Sequence, residues 1–242
     1  MHPLIPSRWQ VPAVFEQRLG EKPGRQRLMK ADGHLLLILH KIPVPGAEER
    51  EARIFWRNPQ GEWQSSEGGS GLADFKTHIS EYDKTADRLD VQLRKEATAE
   101  NYFAVLHELT PLARAARHLA AVLQEARDAC AGDRHILLAR DEMVEIDRHC
   151  DLMLIEAQQG LQFLAAARAD EQAKQSERIA VAGHRLNLLV AMCLPASALA
   201  SILGMNAEQR WDNILRFVGV AGFLGIAVMI WVSRSRTPKQ KK

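Results

Sequence analysis

Ser197, Ser201 and Asn187 supply the hydroxyls and the one side-chain amide of an otherwise apolar, uncharged stretch, residues 186–203. On a helix turning 100° per residue they fall, together with Ser176, Gly183, Val190 and Leu194, within an arc of about 80°. A stripe of small side chains and neutral oxygens fits the lining of a wet space between copies of the chain. The same hydroxyls can instead hydrogen-bond to their own helix or join neighbouring helices. Glu145 and His149 stand four apart, a spacing that can hold a soft divalent ion with Asp151 or Glu142 of a neighbouring chain. A solvated helix face is the simpler reading of that pair. His107 and His118 share a face but lie about 16 Å apart along a helix, too far to chelate one ion. The acidic run Asp74, Glu81, Asp83, Asp87 and Asp90 is interleaved with Lys76, Lys84 and Arg88, as on an ordinary charged surface.

The elements that carry these groups follow from hydropathy. Residues 186–203 approach the ~20 residues needed to cross a hydrocarbon layer. A second apolar segment, residues 214–232, carries Arg216 near one end, where it can snorkel. Trp211 and Trp231 bracket this segment about 30 Å apart, roughly one hydrocarbon thickness. Its glycines Gly219, Gly222 and Gly225 make a smooth face for packing against the first span. Two spans form a hairpin followed by a tail with Arg234, Arg236, Lys239, Lys241 and Lys242 and no acid. The intervening loop balances Glu208 and Asp212 against Arg210 and Arg216. The charge bias places the tail, and with it the N-terminus, in the cytoplasm. Residues 1–20 show no basic-then-apolar signal pattern, in keeping with a cytoplasmic N-terminal part. Cys130, Cys150 and Cys193, an odd and widely spaced set, suit a reducing compartment and form neither a disulfide framework nor a metal knuckle.

Upstream, residues 1–25 are polar and broken by proline. His34–His40 and Ala52–Arg57 read as strands, Asn58 to Gly61 as a turn, Gly61 to Ser65 as the returning strand, and Ser66 to Gly71 as a flexible joint. Composition then turns to strong helix formers, which predicts helices over about 72–98 and 99–130 and a break at Ala131-Gly132-Asp133. A third helix runs from Arg134 into the first span, about 70 residues or 100 Å. Met143, Ile146, Cys150, Met153, Ala157, Gly160, Leu164 and Ala167 give it a seam of the coiled-coil kind. The expected fold class is thus an α+β, mostly helical cytoplasmic domain, residues 1–133, then a stalk helix, 134–185, and a membrane hairpin with its basic tail, 186–242.

The run from Leu194 and Pro195 through Ser197 to Gly204-Met205-Asn206 resembles the end of the first transmembrane helix of CorA-type divalent-cation channels. In that family a membrane proline precedes Gly-Met-Asn by nine residues, and a short loop, a second span and a basic cytoplasmic tail follow. The resemblance is specific over residues 185–242 and architectural elsewhere. It implies a homopentameric funnel in which the long first-span helices line the pore. Asn206 would form the outer selectivity ring, with Gly204 and Met205 setting its geometry. Ser197 would occupy a hydroxyl-bearing pore position, and Leu194, Val190 and Leu186 an apolar constriction. Mg²⁺ surrenders water reluctantly, so a ring of neutral amide oxygens can hold the hydrated ion through its waters and still release it. Read alone, Asn206 is also a good helix C-cap. The chain departs from the family at Leu203 and Ala207, which replace flanking aromatics, in its loop, and at Ala180 and Gly183, where the family carries amides. It resembles the short, divergent members.

The implied cargo is a divalent cation, Mg²⁺, Co²⁺, Ni²⁺ or Zn²⁺, and the implied partners are further copies of the chain and the lipids of a bacterial inner membrane. No covalently bound cofactor is expected. A net charge of +2 becomes −3 once the five tail cations are set aside, which does not point to nucleic acid. The absence of a Gly-rich phosphate loop, catalytic triad or zinc motif argues against an enzyme. The competing class is a membrane-anchored scaffold or sensor that keeps the architecture without conducting.

Overall fold

The computed structural model describes residues 4–47, 50–205, 216 and 219, excluding the side chains of 192, 195, 196, 199, 200 and 202–205. Its elements are α1 (Ala13–Arg18), β1 (Arg27–Ala31), β2 (His34–His40), β3 (Ala52–Arg57), β4 (Trp63–Ser65), α2 (Gly71–Lys95), α3 (Ala99–Ala129) and α4 (Arg134–Met205). Residues 1–166 and 167–242 form two compact units. Asn206, and the expected second span apart from Arg216 and Gly219, lie outside the described residues. Among the described residues no helix is long and apolar enough to cross a membrane.

The four strands form an antiparallel meander in the order β1-β2-β3-β4. The unbroken apolar run of β2 has a physical cause, since the sheet is covered on both faces. Leu35, Leu37 and Leu39, with Phe55 of β3, point into a core shared with α2, α3 and the first part of α4. Leu36 and Ile38, with Ile54 and Trp56, point the other way. There they meet Ile5, Trp9, Phe15 and Leu19, so the proline-broken N-terminal segment is a packed second layer that contains α1. Strand β1, absent from the sequence expectation, pairs with β2 through a two-residue turn, Asp32-Gly33, both with positive φ.

The stretch expected to be a flexible joint is instead tied down. The Ser66 backbone N–H donates to the Ile54 carbonyl, and its hydroxyl accepts from the Ile54 N–H. Ser70 bridges Gln64, and Gly71 lies so close to β4 that a Cβ there would sit 2.3 Å from the Trp63 carbonyl. Glycine is required here for close approach, and its freedom is not used.

Thr98 caps α3, its hydroxyl accepting from the Asn101 N–H. Asp133 begins α4. One of its oxygens accepts from the backbone N–H groups of His135 and Ile136, and the other receives the Arg57 Nε at 2.6 Å. The break expected at residues 131–133 is therefore both a helix start and a clamp on β3. Met143, Ile146, Cys150, Met153 and Ala157 are buried against this chain's own α2 and α3. That half of the seam is intramolecular, whereas Leu164 is half-buried and Ala167 is exposed.

Gly160 ends the buried stretch because the Tyr102 ring lies where its Cβ would be, with Cζ only 2.4 Å away. Gly160→Ala is expected to destabilise the chain by about 1–3 kcal/mol, the cost of overpacking. In a double-mutant cycle, Tyr102→Ala should recover most of that loss in denaturant unfolding. Additive effects would show that the ring yields freely.

Candidate functional site

In the second unit, the residues expected to line a pore all lie on the helical run of α4. Leu186 is 62% exposed, Val190 48% and Leu194 61%, and Gly183, Asn187, Ser197 and Ser201 are exposed as well. Helical geometry through Met205 keeps the 100° spacing between these residues. Nothing lies within 4 Å of the Cβ position of Gly183. Ser197 donates its hydroxyl to the Leu194 carbonyl at 3.0 Å, the hydrogen bond to its own helix. That bond uses the proton and leaves the oxygen's remaining lone-pair capacity facing outward. Gly204 and Met205 are still helical, and Asn206, the next residue, lies outside the described residues. Ile179, Val181 and Leu189 are exposed alongside the stripe.

Glu145 is exposed on α4, and the His149 Nε2 stands 3.8 Å from an Asp90 carboxylate oxygen. Arg94 already engages that carboxylate through both of its oxygens. Among the described residues, no group of three or more metal-ligating side chains gathers there or elsewhere. Of the acidic run on α2, Glu81 is drawn to Arg53 and Asp90 to Arg94. His107 lies on a cleft in the first unit, described next. Cys150 is fully buried, and burial, with Asp147 and Asp151 nearby, pushes its thiol up to about 12. It is an inert core residue.

A polar constellation that the sequence reading did not single out lies between the sheet and α2. Arg53, at the start of β3, is 8% exposed. Its guanidinium donates to His78 Nδ1 at 3.3 Å and to both oxygens of Glu81, while Nε pairs with Glu67 at 3.0 Å. Glu67 in turn holds Lys41 at 2.8 Å, and Lys41 reaches Glu51 at 3.2 Å. The result is a chain of alternating charge, Glu51, Lys41, Glu67, Arg53, Glu81, backed by a fully buried imidazole. The Lys41 hydrogen bond holds the Glu67 carboxyl below its ordinary range, outweighing the opposing effect of burial. Helical spacing carried a signal for this site, because His78 interrupts the buried face formed by Phe75, Ile79 and Tyr82. A histidine on such a face needs a partner from across the core.

Lys41, Glu51, Arg53 and Glu81 of that chain line a cleft of about 870 Å³ bounded by the β2–β3 connection, α2 and the middle of α3. Pro111 lies inside α3 and carries no N–H, so the His107 carbonyl loses its normal helical donor at the cleft's edge.

No protein-family model and no curated protein matches the chain. Among solved structures, it is similar to the cytoplasmic domain of ZntB from Vibrio parahaemolyticus, with 14% identity and a TM-score of 0.53. That match covers 66% of this chain and 80% of the other. It also matches the full-length CmaX protein at 16% identity over 92% of this chain and 79% of that one, with a TM-score of 0.45. The first likeness fixes the fold: a mostly helical α+β unit, with a meander sheet and a long closing helix, similar to the ZntB cytoplasmic domain.

Proposed function

We propose that the chain conducts divalent cations across the bacterial inner membrane as a homopentamer, with its N- and C-termini in the cytoplasm and α4 lining the pore. Asn206 supplies a ring of amide oxygens for the hydrated ion, with Gly204 and Met205 shaping it. The cargo is one of Mg²⁺, Co²⁺, Ni²⁺ or Zn²⁺, and no chemical step is catalysed. The observation that carries this reading is α4 itself, helical from a packed start at Arg134 to Met205, with Leu186, Asn187, Val190, Leu194, Ser197 and Ser201 exposed along it. It leads from a unit with a ZntB-like fold directly to the Gly-Met-Asn sequence. Leu186, Val190 and Leu194 supply apolar rings that can close such a pore by dewetting, while Asn187, Ser197 and Ser201 offer oxygens between them. The basic tail and the 214–232 segment complete the hairpin.

The test is uptake of Mg²⁺, Co²⁺, Ni²⁺ and Zn²⁺ into proteoliposomes containing the full chain, with Asn206→Ala in parallel. Flux of at least one ion is expected, and Asn206→Ala should abolish it or erase the preference among ions while the oligomer survives purification. A C-cap amide contributes on the order of 1 kcal/mol or less to each subunit, so assembly should tolerate its loss. Normal transport by the variant would remove Asn206 from the filter. An intact oligomer that passes none of the four ions would leave the scaffold or sensor reading.

A further inference from the structure

We propose that the solvent-facing row of α2 docks on the solvent-facing row of α4 in a second copy of this chain, joining first units head to tail. Along α2 the row is Lys84, Asp87, Val91 and Lys95, and along α4 it is Glu145, Arg148, Leu152 and Glu156. Both advance by three, four and four residues, steps that keep side chains on one face of a helix. All eight residues are exposed, with Val91 at 71% and Leu152 at 58%. The residues that bury these helices lie on their other faces, Phe75, Tyr82 and Leu89 on α2 and Ile146, Cys150 and Met153 on α4.

Charge identifies the occupant. Matched position by position, the rows set Lys84 against Glu145, Asp87 against Arg148, Val91 against Leu152 and Lys95 against Glu156. Signs are opposite at every charged place, and the apolar pair meets in between. Pairing either row with its own copy in the same direction would instead set like charges together throughout. In the opposite direction it would still set Lys84 against Lys95, or Glu145 against Glu156. The contact is therefore heterologous, the kind that can close into a ring. Register supports the match. Within the chain the His149 Nε2 stands 3.8 Å from the Asp90 carboxylate, and burial, then the Asp83 carboxylate, raise the Glu142 pKa. So α2 and α4 run in the same direction, offset by 59 positions. Rotation about an axis parallel to the pair leaves their heights unchanged, and the charge match needs an offset of 61, a slip of only about 3 Å. Arg88, near the α2 row, is already held by Glu108 at 2.6 Å.

This inference rests on the homo-oligomer proposed above but not on conduction, so the two can fail separately. The test uses the full chain in detergent, carrying Cys130→Ala and Cys193→Ala and keeping the buried Cys150. Chains with Val91→Cys or Leu152→Cys alone should not cross-link under mild oxidation. The two co-expressed should give a disulfide-linked dimer, and the double variant a ladder of linked chains. Lys84→Glu with Lys95→Glu should raise the concentration at which the oligomer dissociates by about tenfold or more, because like charges then meet at each interface. Adding Glu145→Lys with Glu156→Lys in the same chain should restore assembly. Cross-linking of Leu152→Cys with itself would mean an isologous contact and overturn the proposal. A monomeric chain would also overturn it and leave these faces to lipid or another protein. An oligomer that neither cross-links nor responds to charge reversal would overturn it while leaving conduction to the uptake measurement. Cross-linking in an oligomer that passes no ion would uphold it and count against conduction alone.

Discussion

Gly71→Ala is expected to destabilise the first unit by about 3 kcal/mol or more, at or above the upper end of ordinary overpacking. Glycine to alanine within a helix normally gains up to ~1 kcal/mol, so the predicted sign is opposite to propensity. The reason is local. A Cβ at position 71 would lie 2.3 Å from the Gln64 nitrogen and from the Trp63 carbonyl carbon and oxygen, all of them backbone atoms of β4. A flexible side chain could swing aside, but a paired strand cannot move without breaking its ladder to β3 or the bridge between Gln64 and Ser70. The strand also carries Trp63, which stacks on Phe75 with ring centroids 4.8 Å apart, so displacing it opens the core under α2. Gly183→Ala is the natural control, because its Cβ position is open space on α4. Urea unfolding followed by tryptophan fluorescence should show a large loss for Gly71→Ala and a small gain or no change for Gly183→Ala. Equal midpoints for the two variants would mean that the contact between α2 and β4 relaxes easily.

The sequence revealed elements wherever one local signal dominated. Helices α2 and α3 follow from composition, although the first ends at Lys95, three residues before its expected end, and Thr98 caps the second. The long helix was legible because no strong breaker intervenes between Arg134 and Pro195. Where structure depends on distant partners, local reading failed. The N-terminal segment looks polar and proline-broken, yet Ile5, Trp9, Phe15 and Leu19 are spaced to cover the back of the sheet, which becomes evident only once β2 and β3 are paired. Strand β1 had a local signal in Asp32-Gly33, a turn pair suited to a two-residue hairpin. The seam of α4 was legible as an apolar face but its partner was not, since periodicity reports a buried face and does not say whose surface buries it; Met143 to Ala157 pack in this chain's own core.

Site residues divide along the same line. The stripe from Gly183 to Ser201 is a property of one helix and needs only helical geometry, so sequence could place it. The buried network around Arg53 joins residues separated by up to 40 positions in the chain, and the individual letters gave only the hint of His78 on an apolar face. Arg53 itself occupies a strand whose next three residues, Ile54, Phe55 and Trp56, are buried. A guanidinium at such a position is tolerable only when its charge is compensated, which Glu67 and Glu81 accomplish by ion pairing while His78 and Glu81 accept from its terminal nitrogens.

The largest pH effect should come from His78. Guanidinium only donates, so the Nδ1 facing Arg53 is the acceptor and the neutral ring carries its proton on Nε2. Protonating Nδ1 would remove that acceptor and set an imidazolium against Arg53 in a site with no access to water. Burial first, and the charge of Arg53 second, lower the His78 pKa to about 3. In the unfolded chain the same group titrates near 6.5. Between those values the unfolded state binds a proton that the folded state refuses, so stability falls as pH drops from about 6.5 toward 3. At pH 4.5 this amounts to about 3 kcal/mol relative to pH 7. Glu67 and Asp133, both held below their ordinary range by cationic partners among other influences, lose stabilisation in the same direction at lower pH, so the total acid dependence has several sources. His78→Phe isolates one of them. Phenyl can occupy the same space beside Phe55 and Tyr82, and Arg53 keeps both carboxylates. The variant should therefore show a flatter change in urea stability between pH 7 and 4.5 than the unaltered chain, by roughly 2–3 kcal/mol. Parallel curves would mean that the imidazole accepts a proton in place, with Arg53 moving away to relieve it.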